Sequence, residues 1–145
     1  MDFLTGMRIS SSGMTAQRLR MNAISSNIAN VNTTRTPEGG PYRRKEVVFG
    51  AMPQQREFGE ILAGKVDNDL DRVQVTDIRP DRKGPLMKYD PTHPDANEDG
   101  YVAYPDINVM QEMVDMLQAS RSYEANVSAM NTTKNMALSA IEIGR

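Results

Sequence analysis

Cysteine and tryptophan are both missing from this 145-residue chain, and histidine occurs once. Without Cys there is no disulfide framework and no thiolate metal site. The single His93 has no second His to share a metal, and a nucleophile–base pair would need it beside a Ser or Thr that nothing in the sequence singles out. Long apolar runs are lacking too. No stretch approaches the roughly 20 apolar residues of a membrane span, and Met1 to Arg8 lacks the apolar core of a secretory signal. Strong charge of either sign is also absent: the formal net charge is −2, which excludes the broad basic face that nucleic acid demands. Hydrophobic residues make up 39%, with three Phe against eleven Met, so a conventional core is thin and its packing soft rather than rigid.

What is present falls into three zones. From Asp2 to Thr34 there is no Pro, and Phe3, Met7, Ser10, Met14, Gln17, Met21, Ile24, Ile28 and Val31 recur in steps of four and three. That spacing keeps one stripe of a helix against a partner over many turns, as in coiled coils. Gly13 weakens or breaks such a helix, at about 1 kcal/mol against Ala. The breaker-rich "TTRTPEGGP" ends it.

Pro and Gly then concentrate between Pro37 and Gly100, and helical periodicity disappears. "YRRKEVVF" (Tyr42 to Phe49) and "DRVQVTDI" (Asp71 to Ile78) read as strands, so residues 35–105 form a small β-containing segment with long loops. The basic cluster Tyr42, Arg43, Arg44 and Lys45 reads as an edge strand protected from aggregation, with an acidic partner surface as the alternative.

From Asn108 to Gly144 the four–three frame returns at Val109, Met113, Met116, Ser120, Tyr123, Val127, Met130, Lys134, Ala137 and Ile141, flanked by Met110, Leu117 and Leu138. Asp106 or Asn108 caps the start, Glu112 suits the first turn, and Gly144 suits the end. The fold class that follows is α+β: long terminal helices, residues 1–34 and 106–145, packed together as a coiled-coil-like pair, with a small central β-containing segment and long loops.

The polar faces of the two helices carry little charge. Between Ile9 and Thr34 only Arg18 and Arg20 are charged, and between Ala125 and Ile141 only Lys134. A helix pair standing in water normally shows mixed Lys and Glu outside. Ser, Gln and Asn instead point to helices surrounded by copies or relatives of themselves, and to frayed ends in an isolated subunit. "NIANVNTT" (Asn27 to Thr34) resembles "NVSAMNTT" (Asn126 to Thr133), either as chance in a biased composition or as two like surfaces packed in one layer. Arg18 and Arg20 are candidates to pair with Glu112, Asp115 or Glu124 of an adjacent subunit, against the alternative of ordinary solvated charges.

One loop needs a separate test. Asp95, Asn97, Asp99 and Gly100, with Val102 and Asp106, follow the opening of a calcium loop. Asp replaces Glu at the twelfth position, and Pro91 and Pro94 preclude the entering helix. An Asx-rich turn is the preferred reading, so no metal and no cofactor is expected.

"SSGMTAQRLRMNAISSNIANVNTT" (Ser11 to Thr34) resembles the N-terminal signature of the flagellar axial protein family. "DGYVAYPDINVMQEMVDMLQASRSYEANVSAMNTTKNM" (Asp99 to Met136) is similar to the C-terminal signature of the C-type proximal rod subunits of the bacterial flagellar basal body. The resemblance covers nearly the whole chain and is more specific at its C-terminal end. It implies a structural subunit rather than an enzyme, whose terminal helices line a hollow helical rod that serves as drive-shaft and export channel. The implied partners are copies of itself, other rod subunits, basal-body ring or adaptor proteins, and the flagellar type III export apparatus. It also implies export without a cleaved signal and a place in the periplasmic part of the basal body. The residues expected at subunit-packing positions are Met7, Met14, Met21, Ile24, Ile28, Val31, Met113, Met116, Tyr123, Val127 and Met130. The alternatives are another axial subunit of rod or hook, or a calcium-responsive coiled-coil module.

Overall fold

The computed structural model describes residues 3–52 and 71–143. Two long helices frame the chain: α1, Phe3–Ala29, and α2, Val109–Ile143. They pack against each other along their length in antiparallel fashion. Between them in sequence lie two antiparallel hairpins, one pairing β1 (Lys45–Met52) with β2 (Arg72–Pro80), the other β3 (Leu86–Tyr89) with β4 (Tyr101–Tyr104). The fold is α+β, as the three zones imply.

Both helices start and stop where local chemistry dictates. Asn108 caps α2, its Oδ1 accepting from the backbone N–H of Met110 at 3.0 Å and of Gln111 at 3.3 Å, which satisfies donors that have no partner inside the helix. Asn108 is thus the cap, and Asp106 is not. α1 ends before a run of turns closed by Tyr42 N–H to the Thr33 carbonyl at 3.0 Å. Gly39 and Gly40 take positive φ there.

Gly13 does not break α1. A Cβ at that position would meet the Asn126 amide of α2 at 3.0–3.2 Å, so the missing side chain is what lets the two helices approach. Two turns nearer the start of α1, Gly6 faces Thr133.

The β1–β2 hairpin runs from Lys45 opposite Pro80 to Met52 opposite Arg72, with a bulge between Val48 and Phe49. It packs on α1, where the Val73 N–H reaches Ser12 Oγ at 3.3 Å. Both expected strands therefore exist, displaced by one to three residues. The second hairpin has no counterpart in the sequence expectation. Tyr89 and Tyr101 stack edge to face across it at 5.3 Å, and Gly100 is required twice over: its φ is +79°, and a Cβ would sit 2.9 Å from the Tyr89 ring. Val102 at the middle of β4 is fully buried.

Among the described residues no helix is long and apolar enough to cross a membrane. The buried set is small and mixed: Ala16, Ala23, Ile24, Val102 and Ala119 share the interior with Ser10, Asn27 and Glu112.

Candidate functional site

The place where α1, α2 and β1 meet is polar rather than apolar. Asn27, near the end of α1, and Glu112, in the first turn of α2, are each 1% exposed. Asn27 Nδ2 donates to Glu112 Oε2 at 2.9 Å and to the Lys45 carbonyl at 3.0 Å, while its Oδ1 accepts from the Lys45 N–H at 2.8 Å and from the Tyr42 hydroxyl at 3.1 Å. Every hydrogen-bonding position of this amide is occupied, which fixes its orientation. Because Tyr42 spends its one proton on Asn27, Ser26 Oγ must be the donor in its 3.1 Å contact with Tyr42. Asn27 thus serves the first residue of β1 as a neighbouring strand would, pairing both its N–H and its C=O.

Charge completes the cluster. Arg44 Nε donates to Glu112 Oε1 at 2.6 Å, and Arg44 Nη2 lies 3.9 Å from Asp115, which also has Arg20 at 3.7 Å. Burial opposes the Arg44 charge, but the hydrogen bond and charge of Glu112, with Asp115 and Asp81, outweigh it and hold the guanidinium above its ordinary pKa. A carboxylate this deeply buried is tolerated only because it is paired and hydrogen-bonded on both oxygens.

These contacts revise the sequence reading of the charges. Arg20 lies 3.7 Å from Asp115 of its own chain. Glu112 lies in the first turn of α2, as expected, and is in addition the centre of a buried pair with Arg44. Arg44 and Tyr42, which the sequence presents as part of a protected edge, turn inward. Arg18 is exposed and makes no ion pair among the described residues.

Three helix–helix contacts lie beside the expected apolar frame. Direct contacts join Asn27 to Glu112, Gly13 to Asn126 and Gly6 to Thr133, in step along the antiparallel pair. Each lies one residue from a position of the expected apolar frame (Ile28, Met14, Met7; Met113, Val127, Lys134). Of the expected packing residues, Ile24 is buried; Met7, Met14, Met21, Ile28, Val31, Met116, Tyr123, Val127 and Met130 are half-buried. Met113 is half exposed, and Glu112 takes the place against α1 that the apolar frame assigns to Met113.

The two similar octapeptides adopt different structures. Asn27 closes the polar cluster and Thr34 donates to Asp95 Oδ2 at 2.8 Å, whereas Asn126 packs on Gly13 and Thr132 and Thr133 bond carbonyls within α2. The stretch from Asp90 to Gly100 is the β3–β4 connection. His93 Nδ1 accepts from the Asp95 N–H at 3.1 Å, and the Asn97 carbonyl receives the Gly100 N–H at 2.8 Å. Asp95 faces Thr34, and among the described residues no three His, Cys, Asp or Glu side chains cluster to hold a metal.

Comparison with known proteins is consistent along the chain. The family model described as "Flagella basal body rod protein" matches residues 7–35, the α1 region, and "Flagellar basal body rod FlgEFG protein C-terminal" matches residues 98–143, covering β4 and α2. The flagellar basal-body rod protein FlgC of Borreliella burgdorferi is 43% identical over 149 aligned residues, spanning 99% of this chain and 98% of that protein. Those of Bacillus subtilis and Aquifex aeolicus are 44% and 40% identical, spanning 96% and 94% of this chain and 96% and 92% of theirs. The chain belongs to the FlgC family of flagellar basal-body rod proteins.

Proposed function

We infer that this chain is a structural subunit of the flagellar basal-body rod. The observation that carries the reading is the match to FlgC proteins over nearly the whole of both sequences. In this reading residues 1–34 and 106–145 form one inner unit that builds the wall of a hollow helical tube, and residues 35–105 make outer contacts. The antiparallel α1–α2 pair supports that division, because it brings the start of α1 and the end of α2 to one extremity of the pair. Half-buried Met7, Met14, Met21, Ile28, Val31, Met116, Tyr123, Val127 and Met130, with the more exposed Met113, offer neighbours an adaptable surface. The subunit performs no catalysis, travels through the flagellar type III export apparatus without a cleaved signal, and assembles in the periplasmic part of the basal body with copies of itself, other rod proteins and ring or adaptor components.

Deleting the gene and imaging purified basal bodies tests this. The rod should be missing and return when the wild-type gene is restored; a complete rod in the deletion strain would overturn the reading.

A further inference from the structure

A groove of about 660 Å³ runs between α1 and β2, along the stretch from Leu4 to Leu19. Its volume is that of a binding cleft rather than of a packing defect. Met7 and Leu19 of α1, Val73 and Val75 of β2, and Met130 of α2 give it apolar walls. Among the described residues its only charges are Arg8 and Arg72, and no acid lines it. Asp71, next to Arg72 in sequence, is exposed and stands outside the lining. Neither arginine has an ion pair among the described residues, and Arg72 Nε is buried without a hydrogen-bond partner among them. An apolar groove with two cations and an orphaned donor suits a partner that is both apolar and acidic.

The β3–β4 hairpin carries that chemistry. Its connection, residues 90–100, holds Asp90, Asp95, Glu98 and Asp99 and no Lys or Arg. Asp90 is bonded to Thr92 and Asp95 to Thr34. Glu98 and Asp99 are exposed and make no ion pair among the described residues. The register of the hairpin and the alternation along its strands put Met87, Tyr89 and Tyr101 on one face, where they are 50%, 64% and 43% exposed. Lys88 belongs to the opposite face and lies over the Tyr104 ring. Exposed tyrosines and a methionine beside two free carboxylates form the kind of patch that anchors a protein interface.

The two surfaces sit at opposite ends of α1. The bond from Thr34 to Asp95 fixes the hairpin connection at the end of the helix. Arg8 lies near its start, and the Val73 N–H on Ser12 holds Arg72 close to it. About 20 helical residues, or roughly 30 Å, separate the two, so a chain cannot place its own hairpin in its own groove. We propose that the α1–β2 groove is the seat for the β3–β4 connection of a second copy of this chain, with Glu98 and Asp99 set against Arg8 and Arg72, and Tyr89 and Tyr101 against the apolar walls. The contact joins two different surfaces, so it passes from copy to copy in one direction, as a helical wall requires. The proposal rests on the rod reading and adds which surface meets which.

The chain has no cysteine, so the contact can be trapped cleanly. Ser11 lines the groove, Asn97 precedes Glu98, and both are exposed. Two differently tagged copies, one carrying Ser11→Cys and the other Asn97→Cys, are expressed together, and basal bodies are purified and oxidised. The expected product is a mixed disulfide dimer of the two tagged copies, absent when both carry Ser11→Cys. Incorporation of both copies with no mixed dimer, or with the Asn97→Cys copy joined to a different rod protein, overturns the packing and leaves the rod reading standing; absence of both copies from basal bodies, with unaltered copies absent too, overturns both. A charge exchange gives a second readout. Arg8→Glu alone and Glu98→Arg alone should each lower the number of assembled rods about tenfold, because like charges are then forced together at every contact, and the double exchange should restore most of them. Single variants that assemble like wild type, or a double variant no better than the worse single one, would overturn the pairing.

Discussion

The two ends of the helix pair are built on different principles. Where α1 ends and α2 begins, a buried amide, a buried carboxylate, a tyrosine and an arginine are tied to each other and to the first residue of β1, so three elements are fixed by directional bonds. At the other extremity, where α1 begins and α2 ends, contact comes from Gly6 and Gly13 lying close to Thr133 and Asn126, while Phe3, Leu4, Ile141 and Ile143 are exposed. Midway, Gln17 Oε1 is buried without a partner among the described residues. The polar end is complete in its hydrogen bonding within one chain, although Met110, Met113, Val114 and Leu117 stay exposed on the far side of α2 there. The other end leaves apolar surface and helix termini to be covered by something else, which is what a building block of a larger wall requires.

The largest effect should come from breaking the complete end. Asn27→Asp puts a second carboxylate against Glu112 and turns a donor on the Lys45 carbonyl into an acceptor. It should cost about 3–5 kcal/mol and exceed the cost of Asn27→Ala; urea denaturation followed by far-UV circular dichroism measures both. Glu112→Ala leaves Arg44 without its main partner. Because Arg44 keeps some contact with water and with Asp115, the expected loss is smaller, about 2–3 kcal/mol. If Asn27→Asp proves milder than Asn27→Ala, the bonding assigned to this amide is wrong.

A smaller effect is expected at the loose end. Gly13→Ala gains roughly 1 kcal/mol of helix propensity but drives a methyl into an Asn126 amide that is held by its 2.9 Å bond to the Ser122 carbonyl. The net result should be a loss of about 1 kcal/mol, and adding Asn126→Ala should recover it. A double-mutant cycle on the melting transition checks the coupling; additive effects would mean the two residues do not touch.

The smallest effect belongs to the β3–β4 hairpin. Asp90 accepts from the Thr92 hydroxyl at 2.7 Å, which with the Thr92 N–H and the charges of His93 and Lys88 lowers its pKa below the ordinary carboxylate value. A depressed folded-state pKa means that the contribution is present above the unfolded pKa and is lost as pH falls through the folded one. Carboxyl NMR titration should therefore show Asp90 ionising below a free aspartate, and Thr92→Val should move it back up. An Asp90 that titrates as a free aspartate in the wild-type chain would remove the hydrogen bond from the account.

The same contrast explains what can be read from the sequence. Both helices are legible because four–three spacing survives any detail of packing, and Asn108, Pro105 and the turn residues after Ala29 mark their limits. The seam is legible only to within one residue. Apolar spacing points to the methionines, while Gly6, Gly13, Asn126 and Thr133, whose value lies in small size or local bonding, also meet between the helices and carry no apolar signal. Nothing local marks Asn27, Arg44 and Glu112 as a unit, since Glu112 lies 68 residues from Arg44 and 85 from Asn27. A clue is present in the shortage of other charges on the helices, which leaves Glu112 and Asp115 few partners. The β3–β4 hairpin is hidden because "LMKY" and "YVAY" are four-residue strands set among prolines and Asx turns, too short for alternation to stand out from a loop.

Hydrogen exchange on the free chain in dilute solution tests the central contrast most directly. Amides around Ile24 to Asn27 and Glu112 to Ala119 should be protected well beyond those of Leu4 to Gly13 and Asn126 to Ile141, with the latter gaining protection in the assembled rod. Equal protection at both extremities of the helix pair in a monomer, or protection greatest around Gly6 and Thr133, would contradict the account.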